Sequence, residues 1–171
     1  FRSKNDYLEY FAIILKKGHL KKNPLVRIHS QCITGDILDS LKCDCGSQLK
    51  KSIEMMANDG GLLLYMPEEG RNIGLLNKLR AYEFQFHNID TIDANYALGF
   101  DADQRRHENA CELLKLLGVN SIKLITNNPE KISQVQKGGI NVIESVQIKV
   151  KVPAEAKKYL ETKKIRSGHN L

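Results

Sequence analysis

Long apolar runs are missing from this chain. The longest, Phe11 to Leu15 and Leu62 to Met66, fall far short of the roughly 20 apolar residues that a membrane helix needs. No Lys/Arg-led apolar leader opens the sequence. It starts at Phe1 without a methionine, so a natural start upstream is expected, a short N-terminal segment being missing. Aromatic residues make up only 6%, and none interleave with a basic patch. That argues against a nucleic-acid-binding surface, which stacks bases on aromatics. Internal repeats, low-complexity segments and Pro/Ser-rich linkers are also absent, so a single domain is expected over residues 1–171. The cysteines do not form a secreted disulfide pattern. Cys32, Cys43 and Cys45 crowd together and Cys111 stands apart, and Cys43 and Cys45 are too close to bridge each other.

What is present is an ordinary globular composition. Hydrophobic residues make up 42% and charged residues 27% of 171 residues, enough for a substantial core. Lys and Arg number 26 against 20 Asp and Glu, a formal charge of +6. Such an excess suits a polyanionic partner such as nucleic acid, nucleotide or phosphate. The lysines are scattered, and the densest group, Lys157, Lys158, Lys163, Lys164 and Arg166, reads as a solvated helical tail.

Strands and helices alternate along the chain. Tyr10 to Leu15, Leu25 to His29, Leu62 to Met66, Ser121 to Thr126 and Ile140 to Val146 read as strands, with Lys16 to His19 as a turn region. Leu49, Ile53, Met56 and Ala57 share one face of a helix starting near Cys45. Leu75, Leu79, Tyr82 and Phe86 form a second stripe, and Ala110, Leu113, Leu114 and Leu117 a third, ended by Gly118. Asn128, Pro129 and Glu130 spell a helix start: cap, first-turn proline, acidic residue. The expected fold is α/β, a mixed and partly parallel sheet sandwiched by helices, with the parallel pairing in its second half.

The strongest local signal is Cys32-x10-Cys43-x-Cys45. Three thiolates suit zinc and leave a fourth tetrahedral position for water, which the metal would activate as a nucleophile. His29 and Cys111 are the candidates for closing the site instead, although Cys111, on the apolar side of a helix, reads as a buried thiol. A second cluster, Pro67-Glu-Glu-Gly-Arg-Asn-Ile-Gly74, follows a strand and opens a helix. Gly70 there allows close backbone approach and Arg71 offers a phosphate fork. Asp101 to Arg106 reads as a helix N-terminus with solvated arginines. Asn128 caps a helix at a strand's carboxyl end, where α/β ligands bind. His19, His87, His107 and His169 lie among polar neighbours and read as surface residues, while His29 reads as near the metal or substrate.

Taken together, the clusters resemble the GTP cyclohydrolase II family of riboflavin biosynthesis. The matching stretches are Val26–Asp36, Cys43–Gly46, Glu69–Lys78, Arg80–Tyr82, Asp90–Thr91, Ala94–Asn95, Leu98–Phe100 and Leu124–Pro129, in family order, with Tyr159–Lys163 and Gly168–Leu171 similar to the family's C-terminus. The sequence departs from the family's usual pattern at Gln31, Gln104 and Met66-Pro67-Glu68.

The resemblance implies a zinc-dependent enzyme that opens the imidazole ring of GTP, releasing formate and pyrophosphate and leaving a diaminopyrimidinone ribosylamine 5′-phosphate. It implies Zn²⁺ on Cys32, Cys43 and Cys45, and Mg²⁺ at the triphosphate. It casts Asp103 as proton acceptor. Arg105 is then either nucleophile on the α-phosphorus or stabiliser of its charge, a protonated guanidinium being a poor nucleophile. Tyr82 would place the water near the purine. Arg27, Ile28, His29, Ser30, Gln31, Gln48, Glu69, Gly70, Arg71, Thr91, Thr126 and Lys131 would contact GTP, with Glu69 suited to accept from a guanine edge. A cytoplasmic homodimer without nucleic acid or membrane partners is the matching expectation. The alternatives are a cyclohydrolase-like paralogue with another product, as in pyrimidine catabolism, and a zinc-stabilised nucleic-acid-binding module. A zinc base deaminase is excluded, since it needs Pro-Cys-x-x-Cys and a paired Glu that this chain lacks.

Overall fold

The computed structural model describes residues 1–3, 8–15, 20–87, 89–101, 103–105, 107–151, 153–156 and 165. The turn region at Lys16 to His19, the basic tail around Lys157 to Arg166 apart from Ile165, and the closing Gly168 to Leu171 lie outside the described residues. Among the described residues no helix is long and apolar enough to cross a membrane.

The elements run β1 (Phe11–Leu15), β2 (Leu25–Ser30), α1 (Ile33–Asp36), α2 (Cys45–Asp59), β3 (Gly61–Met66), α3 (Glu69–Asn72), α4 (Gly74–Phe86), α5 (Thr91–Ala97), α6 (Glu108–Leu116), β4 (Ser121–Ile125), α7 (Pro129–Lys137) and β5 (Asn141–Val146). The five strands form one sheet in the order β1-β3-β2-β4-β5. The β3–β2, β2–β4 and β4–β5 pairs are parallel, and only β1 is antiparallel, at the edge beside β3. The fold is therefore the expected α/β type with a mixed, mainly parallel sheet flanked by helices. The two first strands are sequence neighbours but do not pair, because β3 inserts between them.

Period-two alternation sorts the central strands by face. Val26, Ile28, Leu62, Leu64, Met66, Ile122 and Leu124 join Ala110, Cys111, Leu113 and Leu114 of α6 and Val135 of α7 in the larger core. Leu63 and Ile125 point the other way and pack with Met56 of α2. Arg27, His29 and Tyr65 alternate onto that second face as well. Since β2 and β3 run parallel with Ser30 opposite Met66, their carboxyl ends finish side by side, with the end of β4 nearby. That edge of a parallel sheet is where α/β folds place ligands.

Two helical faces differ from the expected stripes. On α2 the described buried positions are Gly46, Ser52 and Met56, while Ile53 and Ala57 face outward. Ser52 tolerates burial because its hydroxyl donates to the Gln48 carbonyl at 2.7 Å. Among the described side chains of α4 the buried one is Ala81, and Leu79 is 45% exposed. The helix turns its Lys78–Ala81–Tyr82 side inward instead, toward the polar site. The third stripe holds for Ala110, Leu113 and Leu114, and Asn128 caps α7 through its side chain to the Glu130 amide at 3.0 Å.

The revised face of α2 can be measured. Met56 is 0% and Ile53 37% exposed. Met56→Ala is expected to cost about 2–4 kcal/mol in urea unfolding, and Ile53→Ala well under half of that. Equal costs would restore the original stripe.

Candidate active site

Two glycines bring the thiols together. A Cβ on Gly46 would come within 2.1 Å of the Gly35 carbonyl oxygen, so α1 and the start of α2 touch backbone to backbone. This close approach places Cys32, Cys43 and Cys45 so that their sulfurs all lie within 4.8 Å of one another. Cys32 and Cys43 are 3.8 Å apart, close to the edge of a tetrahedron with zinc–sulfur bonds of about 2.3 Å. Gly35 also floors the cluster: its Cβ would meet Cys43 Sγ at 2.8 Å and Cys32 Sγ at 3.2 Å. The donor set and its cradle fit a thiophilic metal. Cys111 is not part of it; it is buried in the core, its thiol 3.7 Å from the Val135 carbonyl, as its position on α6 suggests.

Carboxylates fix the loop that carries Cys32. Asp36 accepts from the Cys32 amide at 3.0 Å, from the Tyr65 hydroxyl at 2.9 Å and from His29 Nε2 at 3.0 Å. Glu69 accepts from the Ile33 amide at 2.6 Å, its neighbour Gly70's amide at 3.0 Å and Lys78 Nζ at 2.7 Å. Lys78 in turn reaches Cys32 Sγ at 3.1 Å and Thr34 Oγ1 at 2.8 Å. Hydrogen bonds from Cys43 and Cys45, reinforced by the Lys78 ammonium, pull the Cys32 thiol far below its ordinary range. The hydrogen bond with Cys32, together with burial, pushes Cys43 upward. Burial opposes the charge on Lys78, yet Glu69 and Cys32 together raise its pKa. Tyr82 sits at the same end, its hydroxyl 3.4 Å from Thr34 Oγ1 and its ring under Lys42 Nζ at 4.8 Å. Burial raises the Tyr82 pKa, so it remains a donor.

The other end is cationic. Lys131 is wholly buried, donates to the Ile28 carbonyl at 3.0 Å and is driven well below its usual pKa by burial and by Arg105 and Arg27. Arg27 lies between the two ends. It donates to the Ile125 carbonyl at 3.2 Å and to Gln48 Oε1 at 2.6 Å, leaving its Nε without a hydrogen-bond partner among the described residues. Burial lowers its pKa to about 10, partly offset by Cys45 and Asp44. Asp103 and Arg105 form a two-pronged ion pair through Nε at 2.8 Å and a terminal nitrogen. Burial would raise the Asp103 pKa, but Arg105 holds it down at about 2.

These residues share one cleft, which encloses about 1150 Å³ of atom-free space including its mouth. Arg27, Ile28, His29, Ser30, Gln31, Gln48, Glu69, Gly70, Arg71, Tyr82, Arg105, Thr126, Lys131 and the three cysteines all line it. Asp103 is held to it through Arg105. The side chain of Thr91 lies outside the described residues, although its position opens α5 behind the Asp90 cap.

Three sequence expectations need correction. The segment after Pro67 does not run straight into a helix: Gly70, Arg71 and Asn72 have φ of 62°, 61° and 72°, so a left-handed turn precedes α4. Such backbone is strained at Arg71 and Asn72 and is held by the Glu69 contacts around it. Asp103 and Arg105 do not start a helix, since α6 begins at Glu108; the pair sits on the irregular segment before it. His107 is buried rather than at the surface, 5% exposed with Nδ1 lacking a hydrogen-bond partner among the described residues. Burial beside Lys131 and Arg105 lowers its pKa to about 2. Lys78, Asp36 and Glu68 carry contacts that sequence reasoning left without a role. The available signal for Lys78 was its place on the same side of α4 as Ala81 and Tyr82; for Asp36 it was its position four residues after Cys32.

Comparison with known proteins fits this picture. A family model described as GTP cyclohydrolase II matches residues 1–147. The GTP cyclohydrolase-2 of Haemophilus influenzae is 51% identical over 165 residues, covering 95% of this chain and 76% of that protein. The riboflavin biosynthesis protein RibBA of Staphylococcus saprophyticus is 44% identical over 164 residues, and that of Staphylococcus aureus 43% over 166. The chain spans 42% of the length of these RibBA relatives.

Metal analysis separates the cysteines. Cys43→Ser is expected to lose most of the bound metal and Cys111→Ser none; retention by Cys43→Ser would mean the ligands are wrong. Acid stability tests the burial of His107. Its folded pKa of about 2 lies below the unfolded value of about 6.5, so the unfolded chain binds more protons between the two. Stability contributed by neutral His107 is present above pH ~6.5 and is lost as pH falls toward 2. His29, lowered by burial despite Asp36, acts in the same direction. His107→Asn is expected to flatten the decline measured by urea unfolding between pH ~6.5 and ~5, by up to about 1.4 kcal/mol per pH unit. An unchanged slope would place His107 in solvent.

Proposed function

The chain belongs to the GTP cyclohydrolase II family, and from that premise we propose that it hydrolyses GTP. The imidazole ring opens, formate and pyrophosphate leave, and a diaminopyrimidinone ribosylamine 5′-phosphate remains as the first intermediate of riboflavin synthesis. The observation that carries this reading is a single cleft with chemically opposite ends: three thiols at one, Arg105 and buried Lys131 at the other. A nucleoside triphosphate has the same polarity, a neutral base and a chain of anions.

Cys32, Cys43 and Cys45 are the zinc ligands of this reading. A zinc ion held by these three thiolates would supply Lewis acidity and an activated water for attack at C8. Tyr82 keeps its proton and can hold that water or the purine by a hydrogen bond. Lys78 holds its ammonium against Cys32 and fixes the Cys32 loop through Glu69 and Thr34. At the far end Lys131 and Arg105 neutralise phosphate charge, with Mg²⁺ as the hard cation of the triphosphate. Asp103, kept ionised by Arg105, keeps the guanidinium protonated in return. That supports charge stabilisation at the α-phosphate over nucleophilic attack by Arg105. Glu69 spends its carboxylate on Ile33, Gly70 and Lys78, so it serves as a scaffold more than as a reader of the guanine edge.

The two ends are separable by experiment. Cys45→Ser is expected to abolish formate release while retaining pyrophosphate release, and Arg105→Ala to lose pyrophosphate. Identical defects in both products would break the division of labour. Tyr82→Phe keeps the ring and is expected to lower formate release by about 10²-fold, while shifting stability by no more than about 1.5 kcal/mol. Full activity would make Tyr82 a packing residue.

A further inference from the structure

Two adjacent glutamates leave β3 with opposite fates. Glu69 turns to the thiol end, and both of its oxygens are occupied there. Glu68 turns the other way. It is 4% exposed, and Ser30 donates to its Oε2 at 2.8 Å. Oε1 has no hydrogen-bond partner among the described residues, yet it is not among the sealed, unpartnered atoms of the interior. Glu68 lines the cleft, so Oε1 opens onto it. A carboxylate oxygen fixed in place and open to the cleft is an acceptor for a donor on a bound ligand.

Its surroundings narrow the donor. The charges nearest in effect to Glu68 include Lys131, Arg105 and Asp103. Its backbone, however, adjoins Glu69 at the thiol end. The carboxylate therefore stands where the cleft passes from its thiol end to its cationic end. A divalent cation needs several oxygen ligands, and the neighbouring Asp103 carboxylate is already taken by Arg105. An anionic phosphate would meet the carboxylate itself. A neutral hydroxyl donor meets neither penalty. In a nucleotide laid along this cleft, the group between base and phosphates is the ribose, which carries vicinal hydroxyls.

We propose that Glu68 reads the sugar of the substrate, Oε1 accepting from a ribose hydroxyl while Ser30 holds Oε2, so that the site prefers ribonucleotides to deoxyribonucleotides. The proposal rests on the GTP reading above and adds a specificity role. A buried acceptor built for a hydroxyl penalises the analogue that lacks it, because the acceptor is then left unpaired.

The test compares kcat/KM for formate release with GTP, 2′-deoxyGTP and 3′-deoxyGTP in wild type, Glu68→Gln and Glu68→Ala. Wild type is expected to favour GTP by about 10²-fold over at least one deoxy analogue. Glu68→Ala should bring that ratio within about threefold, through loss on GTP. Glu68→Gln, isosteric and still an acceptor, should fall between, and it decides the matter if the alanine variant does not fold. A wild type that does not discriminate, or a ratio untouched by both variants, overturns the proposal. So does a change confined to the Mg²⁺ concentration required, or to the preference for GTP over ITP, since those assign Glu68 to the metal or the base. Should wild type release no formate from any of the three, the GTP reaction itself fails. The sugar assignment is then read from binding of a non-hydrolysable GTP analogue and its deoxy forms, with the same ratios expected.

Discussion

The Glu69 carboxylate holds the thiol end of the cleft together. It accepts from the backbone at Ile33, just past Cys32, and from Lys78 on α4. Lys78 then reaches back to Cys32 and Thr34. Three segments are thus tied at one anion: the left-handed turn after β3, α4 that follows it, and the loop after β2, 36 residues away. The ion pair is largely buried, where its loss would leave an uncompensated charge. The strained backbone at Arg71 and Asn72 persists because this knot over-determines it. Without it, neither the lysine beside the thiols nor the arginine lining the cleft would have a fixed position.

The cleft concentrates charges that a core would not tolerate. Arg27, Lys131 and Arg105 lie close enough for each to depress another, and burial lowers the first two. Such an arrangement is under electrostatic tension in the absence of an anion, and a polyphosphate relieves it. The sheet supplies the rigidity this requires. Arg27 projects from a central parallel strand and Lys131 from the first turns of α7, both anchored on strand carbonyls. The thiols sit instead at the starts of α1 and α2 and in the loop between them, where the backbones of Gly35 and Gly46 touch.

The fold class and most elements were legible in the sequence because apolar periodicity and caps are local signals: Asn128 before Pro129, Gly118 after α6, the continuous run of β3. The cysteine cluster was legible because metal ligands must be thiols at short spacing. What escaped was set by tertiary context. The faces of α2 and α4 are turned by polar demands, Ser52 bonding its own helix and Lys78 facing a carboxylate, so the apolar stripe points partly to solvent. His107 looked like a surface residue because its neighbours in sequence are polar, whereas its neighbours in space are the core and two cations. Asp36, Glu69 and Lys78 act through partners 4 to 46 residues away, and no spacing rule announces that.

In the proposed reaction one cleft cuts GTP at two places, the ring at the thiol end and the phosphate chain at the cationic end. Incubating the protein, loaded with zinc and magnesium, with GTP carrying ¹³C at C8 tests this directly by ¹³C and ³¹P NMR. The label is expected to leave as formate while pyrophosphate accumulates in equal amount. Label that stays in the purine while phosphate is released, or no turnover by a folded, metal-loaded protein, would contradict it.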